Sequence, residues 1–330
     1  MPFSHHSHSG QFCPGHAKDS LEEVIQTAIA KKMRIFCLSE HMPRHNEDLY
    51  PEEVGTVTLD TMLENEALYF KEATRLREKY QDKLNIPIGF ECDWIRPPSL
   101  ELIKSSLDKY PFDFFIGSVH HVHTVPIDYD KELYSQARQL AGGTDEKLFE
   151  DYFDSQYKLL VELRPPVIGH FDLIRLMSDD PNGSFQQWPQ IWQKILRNLD
   201  FIAGYGGIME LNSASLRKGM TEPYPKAEIC KVRPKFYGLP PTASLVVIQE
   251  FQARNGRFCL SDDSHGIHHV ALNYHRVYDF LKSTGINTIH YLKYELGSTT
   301  SAFDTRFPNV RVDSVEVEEL GKEPFWQLIA

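Results

Sequence analysis

Short, continuous apolar runs alternate with longer amphipathic segments along the 330-residue chain. The apolar runs have the length of buried strands. We predict strands at residues 34–39, 86–91, 112–119, 167–169, 207–211 and 257–261. The amphipathic segments have helical spacing, and the first opens with a capping box at Ser20 and Glu23. We predict helices at residues 20–32, 61–81, 99–109, 146–163, 190–205 and 242–255.

The repeated order of strand then helix predicts an α/β fold with a parallel sheet, either closed or doubly wound. Residues 42–60, 126–144 and 220–241 are rich in Pro, Asp and Glu, and we predict long loops there. Neither a linker nor an internal repeat divides the sequence. We therefore expect a single domain over residues 1–330.

Charge and composition argue against several classes of binding partner and of structural site. The chain has 46 acidic and 35 basic residues, a formal charge of −11, which repels a polyphosphate backbone and acidic membranes. It contains no apolar run near the roughly 20 residues that span a bilayer. Five scattered cysteines form no C-x-x-C pair, which argues against a disulfide framework or a structural zinc site. We expect a soluble, cytoplasmic protein with no nucleic-acid or membrane partner, and the oligomeric state is left open.

Residues able to bind metal ions stand where the predicted strands end. His6 and His8 are two residues apart, so both side chains project to one face of an extended segment. The other candidates are Glu40 and His41, Glu91 and Asp93, His120, His121 and His123, His170 and Asp172, Glu210 and Asn212, and Asp262, Asp263 and His265. Because the carboxyl ends of strands in a parallel barrel share one rim, we expect these side chains to converge.

These candidates offer imidazole nitrogens and carboxylate oxygens but no thiolate, and such ligands suit Zn²⁺, Mn²⁺ or Fe²⁺. A carboxylate such as that of Glu91 can bridge two ions. Two ions about 3.5–4 Å apart activate a hydroxide and stabilise both the attacking and the leaving oxygen. The pattern therefore indicates metal-dependent hydrolysis of phosphate esters.

Eight short motifs occur in order between His6 and His265. They are His6-Ser7-His8-Ser9, Cys13-Pro14-Gly15-His16, Ser39-Glu40-His41, Gly89-Phe90-Glu91, Gly117-Ser118-Val119-His120, Gly169-His170-Phe171-Asp172-Leu173-Ile174-Arg175, Glu210-Leu211-Asn212 and Ser261-Asp262-Asp263-Ser264-His265. Together they resemble the PHP family (polymerase and histidinol phosphatase), specifically its fungal-type histidinol-phosphatases. Two positions depart from the family pattern: Ser4 stands where an acidic residue is common, and Ser39-Glu40-His41 replaces the more usual Thr-Asp-His.

The resemblance implies a distorted (β/α)7 barrel, TIM-like, with two or three divalent metal ions at the C-terminal ends of the strands. It implies three sets of ligands, with Glu91 shared by the first two: His6, His8, Glu91 and Asp263; Glu91, His120 and His170; and His16, His41 and His265. The Asp-x-His spacing favours Asp263 over Asp262 as the ligand. Glu40 and Asp93 are interpreted as residues that orient the ligands.

The resemblance also implies hydrolysis of L-histidinol phosphate to L-histidinol and phosphate, a step of histidine biosynthesis, through a metal-bridging hydroxide. We predict that Glu91 and Asp263 are essential for catalysis. Arg175 and Arg217 are predicted to bind the phosphoryl oxygens, with a surface salt bridge as the alternative. Glu210 and Asn212 are predicted substrate contacts, and the proton donor to the leaving oxygen is either Asp172 or a metal-bound water.

Two other functions compete with this one. The same fold could act on another small phosphomonoester or on nucleic-acid ends, although the charge of −11 argues against the latter. A non-catalytic metal-binding module is the second alternative, yet every expected ligand is present. Five other histidines (His5, His123, His268, His269 and His275) are interpreted as incidental.

Overall fold

A computed structural model describes residues 2–230, 251–297 and 303–328. The strands are β1 (Phe3–Ser4), β2 (Ser7–His8), β3 (Ile35–Phe36), β4 (Gly89–Asp93), β5 (Phe114–Ser118), β6 (His121–Val122), β7 (Val125–Pro126), β8 (Val167–Ile168), β9 (Ile208–Asn212), β10 (Arg257–Ser261), β11 (Ser264–His265), β12 (Thr288–Tyr294) and β13 (Val310–Glu316). The α-helices are α1 (Leu21–Ala30), α2 (Leu59–Tyr80), α3 (Ser99–Lys109), α4 (Lys131–Leu140), α5 (Asp145–Leu163), α6 (Pro189–Tyr205), α7 (Ala214–Arg217), α8 (Ala227–Cys230), α9 (Tyr274–Thr284), α10 (Val317–Leu320) and α11 (Phe325–Leu328).

Five strands form the central sheet in the order β10-β9-β8-β5-β4, and every neighbouring pair is parallel. Nearly all of their residues are buried, which explains why they read as continuous apolar runs. The register aligns Glu91 with Ile116 and Glu210 with Cys259. All five carboxyl ends therefore lie along one edge, as the predicted α/β class with a parallel sheet requires.

Shorter parallel segments extend this arrangement at both ends. β1 pairs with β3, and the Phe36 amide donates to the carbonyl of Asn85 at 3.0 Å just before β4. At the opposite end of the sheet, the His5 amide donates to the carbonyl of Leu260 in β10 at 3.1 Å. β2 pairs with β11, which places His8 beside His265. Backbone hydrogen bonds thus connect the N-terminal segment to both ends of the five-stranded sheet.

Most predicted elements are confirmed, with shifts of a few residues at their ends. The capping box is present at the start of α1: Ser20 Oγ accepts from the Glu23 amide at 3.3 Å, and the Ser20 amide donates to Glu23 Oε2 at 2.8 Å. The strand predicted at residues 257–261 coincides with β10. Apolar periodicity was sufficient for these elements because each has a buried face.

The prediction of a loop over residues 126–144 is wrong, because this segment contains α4. The Asp130 carboxylate caps α4 by accepting from the Leu133 amide at 2.8 Å, and only Tyr134 and Ala137 of the helix are buried. Leu133, Tyr134 and Ala137 have helical spacing, but the loop was predicted from the polar composition of the whole segment. The antiparallel pair of β12 and β13 was also missed.

Residues 231–250, which include most of the last predicted helix, lie outside the described residues. Phe251–Arg254, at the end of that predicted helix, forms a 3-10 helix.

Within the described ranges, none of the helices combines the length and the apolar character needed to cross a bilayer.

Close strand packing predicts the effect of one glycine substitution. A Cβ atom on Gly89 would lie 2.6 Å from the backbone oxygen of Phe114 on the paired strand, and that oxygen cannot rotate away. We expect Gly89→Ala to lower the free energy of unfolding by about 1–3 kcal/mol. The measurement is urea denaturation followed by circular dichroism.

The matched control is Gly204→Ala, since a Cβ atom at this exposed position near the end of α6 meets no atom within 4 Å. That variant should be as stable as the wild type or up to about 1 kcal/mol more stable. Equal stability of both variants would contradict the packing argument.

Candidate metal centre

Side chains from separate strand ends meet in one buried cluster. His6, His8, Glu91, His120, His170 and Asp263 are all buried; His41 and His265 are partly exposed. The loop residue His16 is exposed and lies at the edge of the same cluster. The structure therefore brings together all nine residues that the sequence predicted as metal ligands.

The Glu91 carboxylate lies at the centre, with its two oxygens facing different imidazoles. Glu91 Oε2 is 3.1 Å from His6 Nε2, 3.4 Å from His8 Nε2 and 3.2 Å from His41 Nδ1. Glu91 Oε1 is 3.0 Å from His170 Nε2 and 3.4 Å from His120 Nε2. This division is the arrangement expected of a carboxylate that bridges two ions.

Asp263 completes the first predicted set of ligands. Its Oδ1 atom is 3.7 Å from His6 Nε2 and 3.6 Å from His8 Nε2. Ligand atoms of a tetrahedral zinc ion with bonds of about 2.0–2.1 Å stand about 3.3 Å apart, close to these separations. His6 Nε2 is buried and has no hydrogen-bond partner among the described residues. The donor set and its spacing therefore fit a divalent metal ion.

The remaining imidazoles differ slightly from the predicted sets. His120 Nε2 and His170 Nε2 are 3.1 Å apart on the Oε1 side of Glu91, as predicted for the second set. His41 and His265 have ligand atoms within 4.8 Å of those of His8. The His16 ring lies 4.5 Å from the His265 ring and 5.5 Å from the His41 ring. His8 is therefore a fourth donor available to the predicted set of His16, His41 and His265.

Glu210 and Asn212, which the sequence predicts as substrate contacts, form hydrogen bonds with other residues of the cluster. Glu210 Oε2 is 3.1 Å from His6 Nδ1, and Asn212 Nδ2 donates to Glu210 Oε1 at 2.8 Å and to Asp263 Oδ2 at 3.3 Å. Both side chains are fully buried behind the ligands and do not line the cavity. They lie two residues apart on β9, so both project into the interior, where they orient His6 and Asp263.

Other polar residues hold the remaining ligands in the same way. Asp93 accepts a hydrogen bond from His120 Nδ1 and pairs with Arg44 at 3.0 Å, while Glu40 accepts from the Ser9 hydroxyl at 2.6 Å. The Asp93 contact agrees with the orienting role interpreted from the sequence, whereas Glu40 Oε2 is 3.8 Å from His8 Nδ1 and forms no hydrogen bond with it. Ser118 Oγ also donates to Glu91 Oε1 at 2.6 Å, a contact the sequence did not predict.

Asp262 differs from its neighbour Asp263. Its carboxylate accepts from the Ser4 hydroxyl at 2.9 Å and from the Ala271 amide at 2.6 Å, so it stabilises the backbone around the site. The Asp263 carboxylate, in contrast, faces the imidazoles of His6 and His8. Ser4, one of the two departures from the family pattern, therefore contacts the acidic residue that directly follows β10.

Arg175 does not have the position expected of a phosphate ligand. Its buried guanidinium donates to Asp172 Oδ2 at 2.9 Å and to the Pro223 carbonyl at 2.8 Å, and lies 5.0 Å from the centre of the Tyr224 ring. Neither Arg175 nor Asp172 lines the cavity. The described contacts therefore give no support to the predicted phosphoryl contact of Arg175 or to the predicted proton transfer by Asp172. Arg175 instead fixes the turn at residues 220–225 beside Asn212.

The metal ligands open into a cavity of about 560 Å³. Arg217, the predicted phosphoryl contact, lines it together with four basic side chains that the sequence did not single out as functional: Lys18, Lys218, His268 and His269. Two loops add a second group, which consists of Tyr50, Glu52, Asp128 and Tyr129. These residues were missed because they lie in irregular segments, where neither spacing nor periodicity marks which side chains turn inward.

Mutual electrostatics set the charge of the ligands. Burial opposes ionisation of Glu91, yet the imidazoles of His6, His120 and His41 hold the pKa of its carboxyl well below the usual range. Burial likewise disfavours protonated imidazoles, but nearby carboxylates hold the pKa of His6 and of His120 well above 6.5. Burial and the neighbouring His8 lower the pKa of His41. Cationic and neutral imidazoles therefore coexist around the shared carboxylate at neutral pH.

Residues 4–214 match the PHP domain family. This chain belongs to that family. The resemblance carried by the sequence motifs is thereby confirmed. A Schizosaccharomyces pombe protein named "Probable histidinol-phosphatase" is 43% identical over 317 residues, which cover 96% of each chain. The histidinol-phosphatase of Saccharomyces cerevisiae is 28% identical over 358 residues, covering 98% of each chain.

Two crystal structures share the fold. One, from Listeria monocytogenes, covers 83% of this chain and 99% of its own, with a TM-score of 0.66 and 21% identity. The other is the histidinol phosphate phosphatase of Lactococcus lactis complexed with zinc, L-histidinol and phosphate; it covers 86% of this chain and 94% of its own, with a TM-score of 0.61 and 19% identity. Because both sequence identities are low, the similarity to these two structures supports only the fold of this chain.

The contact between Asp93 and His120 predicts an effect on metal binding. Asp93→Asn removes the negative charge that holds the His120 ring in place, and we expect metal affinity to fall about 10- to 100-fold. The control is Asp151→Asn, since Asp151 forms a similar pair with His123 at 2.7 Å on the protein surface. Competition with a chromogenic zinc chelator measures both affinities. Equal affinities in the two variants would contradict the role of Asp93.

The raised pKa values of His6 and His120 predict proton release on metal binding. The direction of these shifts predicts protonated imidazoles at pH 7 in metal-free protein, whereas a metal ion requires neutral imidazole, so we expect about two protons to leave. Affinity should accordingly fall as the pH is lowered. Calorimetric zinc titrations in two buffers of different ionisation enthalpy measure the release. Identical heats in both buffers would show that these imidazoles are already neutral.

Proposed function

We propose that this chain is a metal-dependent phosphomonoesterase that hydrolyses L-histidinol phosphate to L-histidinol and phosphate. The observation that carries the proposal is the Glu91 carboxylate, which faces imidazoles on both of its oxygens at the base of an accessible cavity. A bridging carboxylate with flanking histidines is the donor arrangement of metal centres that cleave phosphate esters. The substrate is supported by the fungal relatives named above, which cover nearly the whole chain.

We infer that two or three divalent ions, Zn²⁺, Mn²⁺ or Fe²⁺, are held by the nine residues of the cluster. Imidazole nitrogen and carboxylate oxygen suit each of these ions. When bound, such ions supply Lewis acidity and an activated water for attack on phosphorus. Glu210, Asn212 and Asp93 keep the ligand atoms in place, so the site is formed before the substrate arrives.

The basic side chains of the cavity bind and orient the phosphoryl group in this proposal. Arg217 presents a guanidinium fork that matches two phosphoryl oxygens, and it is partly exposed within the cavity. Lys18 and Lys218 add positive charge nearby. These cations offset the negative charge that accumulates on phosphoryl oxygens in the transition state, which is the main electrostatic task in phosphoryl transfer.

We further infer that the strands close into the distorted (β/α)7 barrel of a single domain. Parallel hydrogen bonds from β3 to the segment preceding β4, and from His5 to Leu260 in β10, support closure of the five-stranded sheet through β1 and β3. Closure gives the strand ends one common rim, on which the ligands lie. A cytoplasmic location stays a prediction from the sequence.

Removing the shared carboxylate should abolish activity. We expect Glu91→Ala and Asp263→Asn to reduce phosphate release from L-histidinol phosphate by several orders of magnitude, because each removes a ligand from the first site. Steady-state phosphate release measures the loss, and circular dichroism checks folding. Near-native turnover in either folded variant would show that the site is wrongly identified.

A panel of substrates tests the proposed reaction itself. L-histidinol phosphate should be hydrolysed with a higher kcat/KM than other small phosphomonoesters or phosphorylated oligonucleotide ends. A chelator should abolish the activity, and adding back Zn²⁺, Mn²⁺ or Fe²⁺ should restore it. If another phosphomonoester is preferred, the phosphatase activity stands but L-histidinol phosphate is not the substrate. Activity that resists the chelator would contradict the metal-dependent mechanism.

A further inference from the structure

The cavity beside the metal ligands contains side chains of two chemical kinds. The basic group is described above. The acidic–aromatic group consists of Tyr50, Glu52, Asp128 and Tyr129, and the proposed phosphoryl chemistry makes no use of it. Carboxylates repel a phosphoryl group, so their presence in a phosphatase cavity calls for a separate explanation.

The acidic–aromatic group is held together by direct contacts and is connected to the metal ligands. The Tyr50 and Tyr129 rings lie 6.0 Å apart, and the nearby Glu52 carboxylate raises the pKa of the Tyr129 hydroxyl. Arg44 lies 5.2 Å from the centre of the Tyr50 ring and pairs with Asp93, the residue that orients His120. Tyr50 is therefore positioned by the same contacts that hold a metal ligand.

Asp128 differs from Glu52 in its burial. The Glu52 side chain is exposed, so water solvates its carboxylate. The Oδ1 atom of Asp128 is buried, yet it has no hydrogen-bond partner among the described residues, although the side chain lines the cavity. An unpaired carboxylate in a partly desolvated position is costly unless a cation or a donor reaches it. Asp128 is thus the acidic residue that remains available to a ligand.

A cationic ligand fits both components of this group. A carboxylate pairs with an ammonium or imidazolium through charge-assisted hydrogen bonds, and an aromatic ring attracts the same cation to its face. An uncharged or anionic substituent would gain neither interaction and would leave Asp128 unpaired.

We propose that Asp128, with the rings of Tyr50 and Tyr129, binds the positively charged part of the substrate and so selects cationic phosphomonoesters over neutral ones. The inference rests on the proposed function and specifies which end of the substrate each group of the cavity takes. The basic group and the metal ligands bind the phosphoryl end, and the acidic–aromatic group binds the amine or imidazole end. Asp128 is a determinant of specificity and takes no part in cleavage.

The test compares a cationic with a neutral leaving group in the metal-loaded, full-length protein. Asp128→Asn keeps the size of the side chain and removes its charge. With L-histidinol phosphate, kcat/KM should fall about 10- to 100-fold, mainly through KM, as expected for loss of one hydrogen bond between charged groups. With p-nitrophenyl phosphate, which has no amine, kcat/KM should be unchanged. Binding of L-histidinol, measured by calorimetry, should weaken by the same factor.

Glu132→Gln is the matched control, because Glu132 is exposed on α4, four residues beyond Asp128, and the substitution changes the net charge equally. It should leave both substrates unaffected. Equal losses for both substrates in Asp128→Asn would overturn the inference and make Asp128 a structural residue, as would an unchanged KM for L-histidinol phosphate. If the wild-type protein hydrolyses p-nitrophenyl phosphate but not L-histidinol phosphate, the proposed function fails and the inference fails with it.

Discussion

A buried carboxylate surrounded by imidazoles is the interaction on which the site depends. Glu91 is almost fully buried, and moving an isolated carboxylate out of water costs several kcal/mol. Five imidazoles within 3.4 Å, from His6, His8, His41, His120 and His170, offset that cost and keep the carboxyl ionised. The same contacts leave nitrogen atoms such as His6 Nε2 without hydrogen-bond partners among the described residues. So many imidazole nitrogens and carboxylate oxygens can be packed together at low energetic cost when they bind shared divalent cations.

Backbone pairing makes that concentration of charge possible. The parallel order of the central sheet places the ends of β4, β5, β8, β9 and β10 along one edge. The N-terminal segment then hydrogen-bonds to β10 directly and reaches the β4 end through β3, which brings His6 and His8 next to Asp263 although more than 250 residues separate them in the chain. Buried polar residues of β9 stiffen this contact, because Glu210 and Asn212 are shared between His6 and Asp263.

Loops give the cavity its chemical asymmetry. The net charge of −11 describes the whole surface, yet the cavity has a basic group around Arg217 and an acidic–aromatic group around Asp128. Arg175 shows how a charged residue near the site can act at a distance from the substrate. Its guanidinium donates to three backbone carbonyls, at Pro181, Glu222 and Pro223, and thereby shapes the turn that pairs with Asn212.

Patterns in the sequence were enough to predict the α/β class, most of the helices and strands, the family resemblance and the candidate metal ligands. These follow from local signals: apolar periodicity reports a buried face, and histidines or carboxylates directly after a strand mark its carboxyl end. The direction of each polar side chain became known only from the folded chain, in which Arg175, Glu210 and Asn212 form hydrogen bonds with buried partners. Tertiary structure also decided which loop residues, such as Asp128, enter the cavity. Spacing along the chain cannot encode these choices, because they depend on the direction of each side chain after distant strands have paired.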